Sequence, residues 1–167
     1  MRAMDTDQLY SLAGKLRHSN TTAPRDVIWA VASLLDVESA DADAVLLCWS
    51  TTYNDTTLWH VLGLTPDLVM TVSASANRVP WTFTSDADGP GHSAPDSLSA
   101  TVRPRASVSR LEVTAFEDIS TWTDRLPPEW RTTWRIHFDD GKTFDLADQS
   151  PKNDEAARSL LADLRSR

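Results

Sequence analysis

Between Leu9 and Leu35 the apolar positions fall at helical spacing: Leu9, Leu12, Ala13 and Leu16, then Val27, Ile28, Val31, Leu34 and Leu35. Thr6 is placed to cap the first helix. Arg17 and His18 fall in its last turn, where positive charge suits the helix dipole. Residues 19–24 break the pattern, and Pro24 opens the second helix where proline is tolerated. The spacing therefore predicts a helical hairpin over 1–40 with one face to bury.

From Ala44 the period drops to two. Val45, Leu47, Trp49 and Thr51 alternate with Leu46, Cys48 and Ser50, and β-branched and aromatic residues dominate. Turns at Asn54-Asp55 and Pro66-Asp67 separate this strand from strands over 57–65 and 68–76, giving an antiparallel meander. Residues 79–84 read as a short fourth strand and 85–97, with two Gly and two Pro, as a loop. Extended chain resumes at 100–102, bends at Pro104 and runs on over 108–117. There Leu111, Val113 and Ala115 are expected to face opposite to Val108, Thr114 and Phe116.

Residues 118–129, with Pro127-Pro128, read as irregular. Over 131–138 Trp134, Ile136 and Phe138 alternate with Arg135 and His137, and Asp140-Gly141 turns the chain back through 142–147. Ser150-Pro151 opens a closing helix whose apolar side is Ala157, Leu160, Leu161 and Leu164. The expectation is an α+β chain: the helical hairpin, then an antiparallel β-domain of seven or eight strands with a C-terminal helix over 44–167, as one folding unit.

Composition narrows the chemistry. A chain of 167 residues suits one domain, and at that size folding buries about 70% of the unfolded surface without a disulfide or metal to help. A net charge of −8 opposes nucleic acid and anionic membranes, so neither is expected as a partner. The preference for Arg over Lys reads as a bacterial composition. Cys48, alone, excludes an internal disulfide and a cysteine zinc site. The first residues carry no signal-like apolar run, and no stretch approaches the ~18 apolar residues of a membrane span. A cytoplasmic protein is the expectation.

Catalytic constellations are not recognisable. His18, His60, His92 and His137 show no metal-ligand spacing, and His60, alternating with Leu58 and Leu62, reads first as a satisfied sheet-face residue. Asp36, Glu38, Asp41 and Asp43 read as solvated charges on a connection, and Asp86-Ala87-Asp88-Gly89 lacks the ligands of a calcium loop. There is no nucleophile elbow and no phosphate loop. No catalytic residue, metal or cofactor is assigned.

Two sets of residues remain. Arg103, Arg105 and Arg110 cluster on one strand of an acidic chain; they read as locally paired charges or as a docking patch for an acidic peptide. Of seven Trp, Trp81, Trp122 and Trp130 lie in or beside irregular segments, with Phe83 close by, where aromatic residues serve either as binding anchors or as a lid on the core.

From about Ala44 to residue 166 the layout resembles the pleckstrin-homology-like fold in its bacterial forms. The residues that carry this are Leu62 to Met70 (LGLTPDLVM), Val102 to Val113 (VRPRASVSRLEV) and Ile136 to Phe144 (IHFDDGKTF) before the final helix. The resemblance implies a bent sandwich or partly open barrel closed by that helix, and partners held at sheet edges and loops. Ser50 to Thr57 has no Lys or Arg, so phosphoinositide binding does not carry over.

The expected function is a non-catalytic protein-binding or adaptor module using Trp81, Phe83, Arg103, Arg105, Arg110, Trp122 and Trp130, with a possible homo-oligomer through the N-terminal helices. Two alternatives stand beside it. One is a cone-shaped α+β small-ligand protein or enzyme using His60 or His137 with a carboxylate; the other is a small acidic chaperone or immunity-type partner of a basic protein.

Overall fold

The computed structural model describes residues 6–35, 44–87, 94–118, 130–147 and 150–167. They form four helices and nine strands in two compact units, Met1–Arg103 and Pro104–Arg167. The strands make three separate sheets rather than one closed barrel, all antiparallel in their described registers. No described helix is long and apolar enough to cross a membrane.

The first unit comprises α1 (Thr6–Lys15), β1 (Arg17–His18), β2 (Thr21–Thr22), α2 (Arg25–Leu34), β3 (Val45–Tyr53), β4 (Thr56–Leu64), β5 (Leu68–Ala76), α3 (Phe83–Ala87) and β6 (Ser97–Pro104), at whose end the division falls. The meander forms as the period-two pattern requires, in the order β3-β4-β5-β6 and with unbroken register from Val45↔Leu64 to Tyr53↔Thr56. Asn54 takes a positive φ of 51° at its first turn, a conformation asparagine tolerates.

One face of this sheet presents Trp59, Val61, Met70, Val72, Ala74 and Ala76. Against it pack Leu12 and Leu16 with Val27, Ile28 and Val31 from the helical hairpin. The helices thus belong to the core of this sheet. Each large side chain so buried stabilises by about 1.5–3 kcal/mol. Register puts Gly63 on the same face opposite Met70, and a Cβ there would lie 2.5 Å from Met70 Cε, so the position favours glycine. The other face carries a second buried set: Leu47, Trp49, Leu62, Leu64 and Val69.

Two segments differ from expectation. The first helix stops at Lys15, and Arg17 and His18 pair with Thr22 and Thr21 across a turn where Ser19 has φ 56°. His18 leaves the helix because its Nδ1 accepts the Ser50 backbone N–H at 3.2 Å, a bond that gives β3 an acceptor at its edge. Residues 79–84 form no strand. Pro80 has no N–H to give a ladder, and the neighbouring carbonyls go to β4 side chains: Thr57 Oγ1 donates to Arg78 O at 2.6 Å and Trp59 Nε1 to Trp81 O at 2.7 Å.

The second unit is a 3-10 turn (Arg105–Ser107), β7 (Val108–Asp118), β8 (Trp130–Phe138), β9 (Thr143–Leu146) and α4 (Pro151–Arg165), with sheet order β7-β8-β9. Gly141, at φ 80°, closes the β8–β9 turn, its N–H donating to Phe138 O. Ser150 caps α4, accepting from the Asn153 N–H. Val108, Ile136, Phe138, Phe144 and Leu146 are buried on this side of the unit, as are Ala156, Ala157 and Leu160 of α4, and Trp134 Nε1 donates to Asp154 of α4 at 2.9 Å.

The strict alternation expected along β7 is broken by two bulges, at Ser109 and at Thr114. Each bulge residue turns its hydroxyl back to a β8 carbonyl, Ser109 to His137 O at 3.1 Å and Thr114 to Thr133 O at 3.4 Å. The consequence corrects the facing read from sequence: Val108, Leu111, Val113 and Phe116 share the Trp134 face, and Ala115 lies on the other.

Candidate functional site

The face of the second sheet opposite α4 is built from charge. Register sets Arg110 beside His137, and Glu112 beside Arg135 and then Asp145. His137 Nε2 donates to Glu112 Oε2 at 2.7 Å, and Arg110 Nη2 lies 3.2 Å from Nε2 and 3.4 Å from Nδ1 of the same ring. Arg110 also approaches Glu112 at 3.5 Å while its side chain stays 65% exposed. Arg135 forks onto Asp145 at 2.6 and 3.0 Å.

These neighbours act on one another's protonation. The His137 hydrogen bond, against a smaller opposing effect of desolvation and helped by Arg110, holds the Glu112 carboxyl below its ordinary range. Asp145 raises the already high Arg135 value. An exposed ladder of this kind adds little stability; it fixes register and presents alternating charge.

Among the described strands, β9 is one edge of this sheet and β7 the other. Along its eleven residues Val113 is 47% exposed and Phe116 61%, between Arg110 and Glu117. A long edge with exposed apolar side chains is a template for pairing with another strand. Chemically, it presents exposed apolar side chains on one face and charges of both signs on the other.

The predicted site residues fall apart across the two units. In the first, Trp81 is wholly buried in the core with the Arg78 guanidinium 5.4 Å from its ring, and Phe83 packs at the margin of that core with Arg25 5.2 Å from its own. Arg103, at the end of β6, donates to Thr101 Oγ1 at 2.6 Å. In the second unit Arg105 is largely buried, gripping Asp163 at 2.6 Å and Ser159 at 3.0 Å, so it ties the 3-10 turn to α4. Arg110 alone of the three arginines stands out on the open ladder. Trp130 begins β8, and Trp122 lies outside the described residues, as do His92, Asp88 and Gly89 of the Asp86–Gly89 run and the acidic cluster at 36–43.

Of the two histidines in the alternative reading, His60 stacks on Trp49 at 5.5 Å and meets Ser73 Oγ at 3.2 Å. His137 does have a carboxylate, Glu112, but the nearby Ser109 hydroxyl is turned to backbone and the pair lies on an open sheet. Cys48 is pushed up to about 12 by burial, so its thiol stays protonated. No group of three or more His, Cys, Asp or Glu gathers for a metal among the described residues.

The sequence reading missed Glu112, Arg135, Asp145, Val113, Phe116 and Glu117. Counting back from Asp140-Gly141 sets Arg135 against Asp145, so half the ladder was available from the turn alone. Comparison of the chain with family models, with curated proteins and with solved structures found no match.

Proposed function

We propose that this chain is a non-catalytic protein-binding module that receives an extended strand along β7. The observation that carries the reading is the edge itself, with Val113 and Phe116 exposed on one face and the Arg110–Glu112 ladder on the other. Main-chain pairing supplies affinity in this mode and alternate side chains supply selectivity. The resemblance to pleckstrin-homology-like domains favours the same use of a sheet edge, and Arg110 is the residue of the predicted arginine set that serves it.

The test is selection of peptides from a displayed random library against the full chain, followed by amide exchange of the chain with each selected peptide. Protection should appear across Arg110 to Glu117, and Val113→Lys should weaken binding about tenfold or more without loss of fold. Peptides that protect other strands and leave β7 unchanged would overturn the reading.

A further inference from the structure

Resting on that reading of β7, we infer that its partner is β7 of a second copy of this chain, paired antiparallel about a two-fold axis between Val113 and Thr114. The strand is complementary to itself in this register. Arg110 meets Glu117 of the second copy, and by symmetry Glu117 meets Arg110, so one isologous contact makes two ion pairs. Between them Leu111 lies opposite Phe116 of the second copy, twice, and aliphatic–aromatic and opposite-charge cross-strand pairs are both stabilising.

The bulge at Thr114 is what makes this register coherent. Arg110 and Glu117 are seven positions apart, and in a regular strand an odd separation puts two side chains on opposite faces. Because Thr114 drops out of the β7–β8 ladder, Glu117 opposite Arg131 and Arg110 opposite His137 fall on the same face. Leu111 and Phe116 likewise share the Trp134 face. Cross-strand neighbours in an antiparallel pair lie on one face, so both charge pairs and both apolar pairs are satisfied together. A strand of the same sequence without the bulge would put the two members of each pair on opposite faces and match neither set. The product is two three-stranded sheets joined edge to edge.

The net charge of −8 on each copy opposes approach, but charges beyond about 8 Å are screened at physiological salt. Local charge order then decides the register. The N-terminal helices, whose apolar side is engaged in their own core, have no part in this contact.

Sedimentation equilibrium of the full chain at about 0.15 M salt, from about micromolar to about millimolar concentration, tests the proposal. A concentration-dependent dimer is expected. Arg110→Glu and Glu117→Arg should each weaken it about tenfold or more, since each turns two attractive pairs repulsive. The double reversal should restore it to within about threefold, because the exchanged charges meet again across the axis. A dimer indifferent to the single reversals, or one weakened by them and not rescued by the double, overturns this pairing. A chain that stays monomeric while selected peptides still protect β7 also overturns it and leaves the strand-accepting reading standing. A monomer with no β7 protection by any peptide removes both.

Discussion

At one edge of the four-stranded sheet, β3 lies against β1 and its Ser50 amide is taken by the His18 ring. At one edge of the three-stranded sheet, β7 carries Val113 and Phe116 exposed at 47% and 61%, with a ladder of opposite charges on its other face. Both sheets are antiparallel and both fill one face with helix. They differ in what is done with the edge, and in where the indoles go. Trp49, Trp59 and Trp81 of the first unit are all buried, whereas the second is stabilised by smaller apolar residues and puts its polar side chains on an open face. Buried indoles and an open charged face thus fall, among the described residues, in different sheets.

The sharpest way to break this contrast is to damage the first core. Trp59→Ala removes a buried indole and leaves the Trp81 carbonyl without its donor, and should cost about 3–5 kcal/mol in chemical denaturation. A loss below about 1 kcal/mol would mean that this face is not tightly packed. Gly63→Ala should cost less, about 1–3 kcal/mol, as the new methyl presses on Met70. Because Met70 Cε is the end of a flexible side chain, Gly63→Ala with Met70→Ala should recover part of the overpacking component, measured as a double-mutant cycle.

Smaller still, His18→Ala should cost about 1 kcal/mol and make the Ser50 amide exchange faster, turning β3 into an edge like β7. An unchanged Ser50 exchange rate would show that the ring does not protect it. Least of all in size is the acid response of the open ladder. Glu112 has its carboxyl value depressed, chiefly by His137. A depressed carboxyl contributes stability above its unfolded value and loses it as pH falls through the lower folded one. The advantage of the native chain over Glu112→Gln in urea should therefore be present at neutral pH and shrink below about pH 4. A difference that does not change with pH would contradict the assignment.

Much of this contrast was legible in sequence, and the parts that were not share a cause. The meander could be read because Val45 to Ala76 carries its own period and its own turns, and the β8–β9 hairpin because Gly141 supplies the positive φ. The bulges could not: Ser109 and Thr114 look like ordinary strand residues until the β8 carbonyls that their hydroxyls meet are in place. His18 reads as a helical residue because local propensity favours it, while the acceptor it supplies is to an amide thirty-two positions on. Trp81 and Arg105 look like surface anchors for the same reason: the Trp59 donor and the Asp163 carboxylate that engage them are distant in the chain. Arg110 was in the predicted set and Glu112 neighbours it by alternation on the same strand, but His137, which engages both, meets them only through strand register.

The central claim is that, among the described strands, β7 pairs on one side only while β4 pairs on both. Amide hydrogen exchange of the dilute full chain, resolved by residue, tests this most directly. The account predicts protected amides throughout Thr56–Leu64 and, between Arg110 and Glu117, an alternation in which those directed at β8 are slow and the others are fast. Uniform protection along β7 at the same dilution would contradict it.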